Sequence, residues 1–82
     1  MAVSDADIRE TIAELFARGD PDKTICPSEV ARALGGDQWR DLMEPVRTVA
    51  GELAARGDVV VTQKDQPVDI ATARGPVRIG RG

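Results

Sequence analysis

The stretch ELAARGDVVVTQKDQPVD, residues 52–69, predicts the end of a helix, a strand and a turn in immediate succession. Gly57 follows the last helical residues and predicts a left-handed helix end. The β-branched residues within 58–63 predict a strand, and KDQP at 64–67 predicts a turn. A second short strand, VRI, follows at 77–79. We therefore expect residues 58–63 and 77–79 to pair as a β-hairpin that closes the chain.

The sequence before this stretch predicts helices. Ser4 is a suitable N-cap, and apolar residues recur at helical spacing after it. Pro27 suits the first position of a second helix, since its missing N–H has no partner there. Pro45 suits the first turn of a longer helix, although a single kinked helix from 37 to 56 is the alternative. The predicted helices are about 5–18, 27–34, 37–43 and 44–56, with a turn at 20–23.

Helices followed by a terminal hairpin predict one α+β domain over residues 1–82. The arrangement is winged-helix-like, with three to four helices and a C-terminal hairpin of two or three strands. Asp69 is expected to cap one helical turn in the hairpin connection. Val30, Ala33 and Leu34 are expected on the inner face of the second helix. The predicted core is Ile8, Ile12, Leu15, Phe16, Ile25, Val30, Leu34, Trp39, Leu42, Val46, Val49, Leu53, Val59, Val61, Val77 and Ile79.

Composition and charge narrow the classes of protein that the chain can belong to. The net charge of −3 disfavours indiscriminate binding to phosphate polymers. The charge is uneven, because residues 1–55 carry 6 basic and 11 acidic side chains while residues 56–82 carry 5 and 3. The absence of a long apolar run predicts no membrane span, and the N-terminal residues do not resemble a signal peptide. A cytoplasmic protein with no internal disulfide is expected, since there is one cysteine.

The residues available for catalysis or metal binding are few. The chain has no histidine and no tyrosine, so the commonest general base is missing. Cys26 precedes a predicted helix start, where a thiol can be activated, but a small buried structural cysteine is the simpler interpretation. One cysteine without histidine cannot build a transition-metal site, and Asp20 with Asp22 lacks the ligand number of a calcium loop. We expect no enzyme activity, no metal and no cofactor.

A winged helix would place the helix at 44–56 in the major groove of duplex DNA. With its apolar face inward, that helix exposes Glu44, Thr48, Gly51 and Ala55, flanked by Arg47 and Glu52. This surface reads bases poorly, because it lacks Asn, Gln and Lys and because its carboxylates repel phosphates. The basic C-terminal end nevertheless predicts a regulatory module associated with DNA. The candidate contacts are Gln38, Arg40, Arg47, Thr48, Lys64, Arg74, Arg78 and Arg81.

The alternative prediction is a protein-interaction module or a homodimer without contact to nucleic acid. Gly51 lies inside a helix, where glycine costs about 1 kcal/mol relative to alanine and therefore has a packing or contact reason. That reason could be the backbone of DNA, a second subunit or another protein. Trp39 is either an interface anchor or part of the core beside Leu42 and Met43.

Four segments resemble a known family: ICPSEVARALGG, WRDLMEPVR, RGDVVVTQKDQPVD and ARGPVRI. Their combination is similar to a small bacterial family of winged-helix-like domains of unknown function, and the similarity runs from about Ile8 to Arg81. The resemblance implies the fold and implies no activity. Some members of that family resemble proteins with an additional Cys-rich segment. This segment is absent here, since the chain has no Cys-x-x-Cys.

Overall fold

The computed structural model of the chain describes residues 3–19 and 22–82. It is an α+β domain in which helices precede a three-stranded antiparallel sheet of order β2-β1-β3. The predicted α+β class and terminal sheet are confirmed. Part of the turn predicted at 20–23 falls on residues 20 and 21, outside the described residues. In chain order the elements are α1 (Asp5–Ala17), α2 (Pro27–Gly35), a 3-10 helix (Gly36–Leu42), α3 (Met43–Ala55), β1 (Val59–Gln63), β2 (Gln66–Pro67) and β3 (Arg78–Arg81).

The helix starts follow from capping chemistry. Ser4 Oγ accepts the N–H of Asp7 at 3.2 Å, and the Asp7 carboxylate accepts the N–H of Ser4 at 3.0 Å. This reciprocal pair satisfies two backbone donors at the start of α1. Pro27 is the first residue of α2, as predicted. Pro45 lies in the first turn of α3, where its missing N–H costs nothing, so the chain forms two helical elements across 37–56.

The sheet pairs as the sequence predicts. In β1 and β3, Val61 lies opposite Ile79 and Val59 opposite Arg81. Ile25 extends the sheet by an isolated bridge. Its N–H donates to Ile79 O at 2.8 Å, and its carbonyl oxygen accepts the N–H of Ile79 at 2.7 Å. The predicted turn at 64–67 is shorter in the structure, because residues 66 and 67 form β2. Only Lys64 and Asp65 make the turn, both with positive φ, as a two-residue hairpin favours.

The core lies between the helices and the inner face of the sheet. Four residues of the predicted core, Leu15, Leu34, Trp39 and Leu42, are only half-buried and pack at its edge; the others are buried. Edge positions are common in a domain this small, because much of its apolar surface lies near the boundary.

One face of α2 was predicted wrongly. Ala31 is buried and Ala33 is exposed, since Pro27, Val30 and Ala31 share the inner face at helical spacing. Ile70 is a further buried residue that the prediction lacks. Among the described residues, no helix combines the length and the apolar character needed to cross a membrane.

Candidate interaction surfaces

The segment after β2 folds into a compact turn, residues 69–73, here named the 69–73 turn. Asp69 Oδ1 accepts the N–H of Ala71 at 2.9 Å. The carbonyl oxygen of Asp69 accepts the N–H groups of Thr72 and Ala73 at 3.1 and 2.8 Å. The predicted cap at Asp69 is therefore confirmed. Because these bonds are local, the turn can present Ile70 as a rigid unit.

Ile70 packs against Gly51 of α3. The side chain of Ile70 is buried, and a Cβ added to Gly51 would lie 3.0 Å from Ile70 Cγ2. Carbon atoms normally approach to about 3.5–4.0 Å, so a side chain at this position would press on Ile70. The contact with Ile70 gives a reason within the chain for a glycine inside α3. Whether Gly51 also contacts DNA or a second protein stays a prediction.

Arg47 fixes the 69–73 turn to α3. Its side chain is half-buried, and Nη2 donates to the carbonyl oxygens of Ile70 at 3.3 Å and Ala73 at 2.9 Å. The sequence predicts Arg47 at the flank of an open helix face. The structure places it beneath a loop instead, because 69–73 covers that flank. Helical periodicity gives the direction of a side chain but not which distant loop lies over it.

A groove runs between α3 and the 69–73 turn, here named the α3 groove. Its volume is about 770 Å³. Glu44, Glu52 and Asp69 provide three exposed carboxylates along it, and Arg47 provides the one cationic side chain among its lining residues. The groove is therefore acidic at its rim. Its apolar lining consists of Met43, Gly51, Ala55, Ile70 and Ala71.

A second cleft lies beside Trp39, here named the Trp39 cleft. It has a volume of about 320 Å³ and lies between the start of α2, Trp39 and the loop at 75–77. Arg32 and Arg47 line it. The guanidinium carbons of Arg32 and Arg40 lie over the Trp39 ring, 4.5 and 4.6 Å from its centroid. Such cation–π contacts concentrate positive charge around the only tryptophan in the chain.

Cys26 forms part of the Trp39 cleft and contacts β3. Arg78 Nη1 lies 2.7 Å from Cys26 Sγ, and the same guanidinium donates to the hydroxyl and carbonyl oxygens of Thr24, both at 2.9 Å. Cys26 is half-buried rather than enclosed in the core. Within residues 3–19 and 22–82, no three potential metal ligands lie together. The predictions of no enzyme activity and no cofactor stay predictions.

The candidate nucleic-acid contacts lie on several elements of the fold. Gln38 and Arg40 lie in the 3-10 helix, and the Thr48 hydroxyl donates to the Glu44 carbonyl oxygen at 3.1 Å on α3. Arg81 Nη2 donates to Phe16 O at 2.6 Å, which attaches the end of β3 to α1. Three further candidates are exposed: Lys64 at the hairpin tip, Arg74 in the following loop and Arg78 beside Cys26. Whether any of these residues contacts nucleic acid stays a prediction.

Sequence reasoning missed two residues that shape these surfaces. Arg32 was not among the candidates, although it stands seven positions before Trp39 in the sequence. Gly36, with φ of 53°, turns the chain between α2 and the 3-10 helix, and this turn brings Arg32 and Trp39 together. Ile70 was missed because an isolated apolar residue in a polar loop carries no periodic signal.

Comparison with family models identifies the family of the chain. A family model described as "Protein of unknown function (DUF3253)" matches residues 5–82. A search of the curated proteins finds no match.

Proposed function

The chain belongs to the DUF3253 family, whose description assigns no function, and we propose that it is a protein-interaction module. The α3 groove is its binding surface, and the partner contributes a basic amphipathic segment. One observation carries the proposal: the groove combines an apolar floor with three carboxylates and a single arginine. A helix with one apolar and one basic face complements both features.

The charge of the groove favours a basic protein segment over a phosphate backbone. Glu44 and Glu52 project from α3, and Asp69 faces them from the turn. Carboxylates repel phosphates, while they attract Lys and Arg side chains. Arg47 carries one positive charge against these three negative charges, so it does not offset them fully. The 69–73 turn also covers the Arg47 side of α3, whereas Thr48 and Glu52 stay exposed.

We propose a winged-helix-like arrangement for the domain as well. In support, α3 is followed directly by the tight β1–β2 hairpin, and β3 returns beside β1. In such an arrangement α3 is the element that usually contacts duplex DNA. The 69–73 turn would modify this plan by converting the exposed side of α3 into a groove. Fold alone does not specify function, so the proposed function rests on the residues of the groove.

Calorimetric titration with two designed peptides tests the interaction proposal. One peptide repeats Leu and Lys in a helical heptad pattern, and the matched peptide carries Glu in place of Lys. We expect the Lys peptide to bind and its affinity to fall with added salt, since the rim charges are exposed. Replacing Glu44 and Glu52 together by Gln should weaken binding about 2- to 10-fold, as expected for two exposed ion pairs.

The matched control removes a carboxylate from another surface. Glu10 is exposed on α1 and lines no part of the α3 groove. Glu10→Gln should leave binding of the Lys peptide unchanged. Equal loss in Glu10→Gln, or equal binding of the Glu peptide, would contradict the proposal. Light scattering without peptide detects the remaining possibility, a homodimer that fills the groove itself.

A second candidate function is association with duplex DNA through the hairpin end. Gln63 Nε2 donates to the carbonyl oxygens of Arg74 and Pro76, which brings the loop at 74–76 beside the tip that carries Lys64. Both cationic side chains are exposed. Phosphate binding there would be steeply salt-dependent. A salt-titrated assay on random duplex, with Lys64→Ala and Arg74→Ala, tests it; no binding at low salt eliminates this candidate.

A further inference from the structure

We infer that the Trp39 cleft is a binding site for a small organic anion, a carboxylate or phosphate attached to an apolar group. The cleft is separate from the proposed function at the α3 groove, although Met43 and Arg47 line both. The inference rests on the charge of the cleft, on its apolar walls and on its size.

The charge around the cleft is positive and has no carboxylate partner. Arg32 and Arg47 line it, Arg40 contacts Trp39, and Arg78 contacts Cys26. None of its described lining residues is acidic. None of these four guanidiniums lies within salt-bridge distance of a carboxylate in residues 3–19 and 22–82, where Arg56 and Asp58 make the one ion pair. Two arginines in the lining and two more beside it, none of them in an ion pair, favour an anionic occupant.

The nearest carboxylate at the start of α2 belongs to Glu29. Its Oε1 accepts the N–H of Cys26 at 3.4 Å, so the Glu29 carboxylate lies at the N-terminal end of α2. Glu29 does not line the cleft and makes no ion pair with the arginines. It therefore reduces the local charge without neutralising it.

Arg47 and Arg32 provide N–H donors for an anion. Nη2 of Arg47 is occupied by two carbonyl oxygens, whereas its Nε and Nη1 donate to no acceptor among the described residues. A guanidinium held in this way is oriented before the ligand arrives, which lowers the entropy lost on binding. Both N–H forks of a guanidinium include Nη2, so Arg47 offers single hydrogen bonds. The guanidinium of Arg32 donates no hydrogen bond among the described residues, so its fork of N–H groups can bind both oxygens of a carboxylate or a phosphate.

The walls and volume indicate a ligand with an apolar part. Trp39, Met43 and Val77 provide apolar surface, together with Pro27 and Pro76. The volume of about 320 Å³ is at the small end of the range for ligand pockets, about 300–1,000 Å³. A single ring with one anionic group fits this description better than a large cofactor does.

Fluorescence of Trp39 reports occupancy directly, because it is the only tryptophan in the chain. The probes are phenyl phosphate, benzoate, neutral benzamide and inorganic phosphate. We expect saturable changes with phenyl phosphate and benzoate, tighter for the more highly charged phosphate, and weaker or absent changes with the other two. The ratio of the two affinities distinguishes a phosphate-bearing from a carboxylate-bearing ligand. Benzamide binding equal to benzoate, or inorganic phosphate equal to phenyl phosphate, would overturn the inference.

Charge-matched variants separate the cleft from general electrostatics. Arg32→Gln should weaken phenyl phosphate binding by at least about 10-fold, the loss expected for a charge-assisted hydrogen bond. Arg9→Gln removes the same charge from an exposed position on α1 and should change affinity little. Equal effects of the two variants would refute a specific site.

Alkylation of wild-type Cys26 by uncharged iodoacetamide gives a readout that needs no variant. Cys26 is the only cysteine and lines the cleft. Saturating phenyl phosphate should slow its alkylation several-fold, while the same concentration of benzamide should not. An unchanged rate at a concentration that saturates the fluorescence change would place the ligand elsewhere and overturn the inference. Binding of a random oligonucleotide without binding of phenyl phosphate would also overturn it.

Discussion

Replacing Gly51 by alanine tests whether the 69–73 turn packs on α3 as described. The substitution adds one methyl group to a helix interior, where alanine is favoured over glycine by about 1 kcal/mol. If this face of α3 were bare, Gly51→Ala would therefore increase the free energy of unfolding. The structure predicts otherwise, because the new Cβ would lie 3.0 Å from Ile70 Cγ2.

The expected free energy follows from two opposing terms. The propensity gain is about 1 kcal/mol, and forcing an extra carbon into a packed contact costs about 1–3 kcal/mol. Gly51→Ala should therefore leave the wild-type chain unchanged or destabilise it by up to about 2 kcal/mol. In an Ile70→Ala background Cγ2 is gone, so the same substitution should stabilise by about 1 kcal/mol. The coupling energy between the two positions is then about 1–3 kcal/mol.

Urea unfolding followed by far-UV circular dichroism measures each corner of this double-mutant cycle. Ile70→Val is the matched control, because valine keeps Cγ2 and removes only Cδ1. Gly51→Ala should remain unfavourable in that background. Ile70→Ala alone removes a buried side chain and should cost about 2–5 kcal/mol. A fixed concentration of a stabilising osmolyte keeps all variants folded during the comparison.

Two results would refute the packing of Ile70 on α3. The first is a gain of about 1 kcal/mol for Gly51→Ala in the wild-type chain. The second is a coupling energy below about 0.5 kcal/mol, the value typical of residues that do not touch. Either result would leave the face of α3 open and would remove the turn that forms one side of the α3 groove.

The remaining predictions concern the core, the hairpin tip and the arginine clamp. Leu53→Ala should cost about 2–5 kcal/mol in urea unfolding, since the side chain is buried; a cost within about 0.5 kcal/mol would show that its face of α3 is misassigned. Asp65→Gly should stabilise by roughly 0.5–1 kcal/mol, because Asp65 has φ of 64° and glycine adopts this conformation without strain; destabilisation would contradict the positive φ. Arg47→Met should cost about 1–3 kcal/mol and speed amide exchange of the 69–73 turn selectively, because the carbonyl oxygens of Ile70 and Ala73 lose their donor; exchange that rises equally in α1 would indicate global destabilisation instead.

The sequence predicts the elements of this fold well because each has a local cause. Ser4 and Pro27 begin helices by capping chemistry, and Gly57 has the left-handed conformation expected after α3, with φ of 82°. The pairing of β1 with β3 follows from alternation, which places Val61 and Ile79 on the buried face. The helix starts and ends depend on neighbours within a few residues, and the inward positions of each strand follow from its own alternation, whereas the pairing itself joins residues 18 positions apart.

The candidate surfaces are harder to predict because they depend on contacts distant in sequence. Arg47 bonds to residues 23 and 26 positions later, and Arg78 reaches residues 52 and 54 positions earlier. Neither contact leaves a pattern within a helix or a strand. The sequence singled out Arg47, Arg78 and Gly51 but not Arg32. It could not show that Arg47, Arg78 and Gly51 each contact a distant part of the same chain.

Net charge is a poor guide here because the two surfaces have opposite signs. The net charge of −3 is a sum over the whole chain, in which the guanidiniums of the Trp39 cleft cancel part of the carboxylates of the α3 groove. The negative sign of the net charge therefore excludes neither a basic nor an anionic partner. The surfaces also adjoin, since Arg47 and Met43 line both. An Arg47 variant would therefore affect both and could not tell them apart. Glu52 lines only the groove, and Arg32 lines only the cleft. A Glu52 variant should lose binding of the Lys peptide and keep binding of phenyl phosphate, and an Arg32 variant should show the reverse. This pair of results would establish two independent sites.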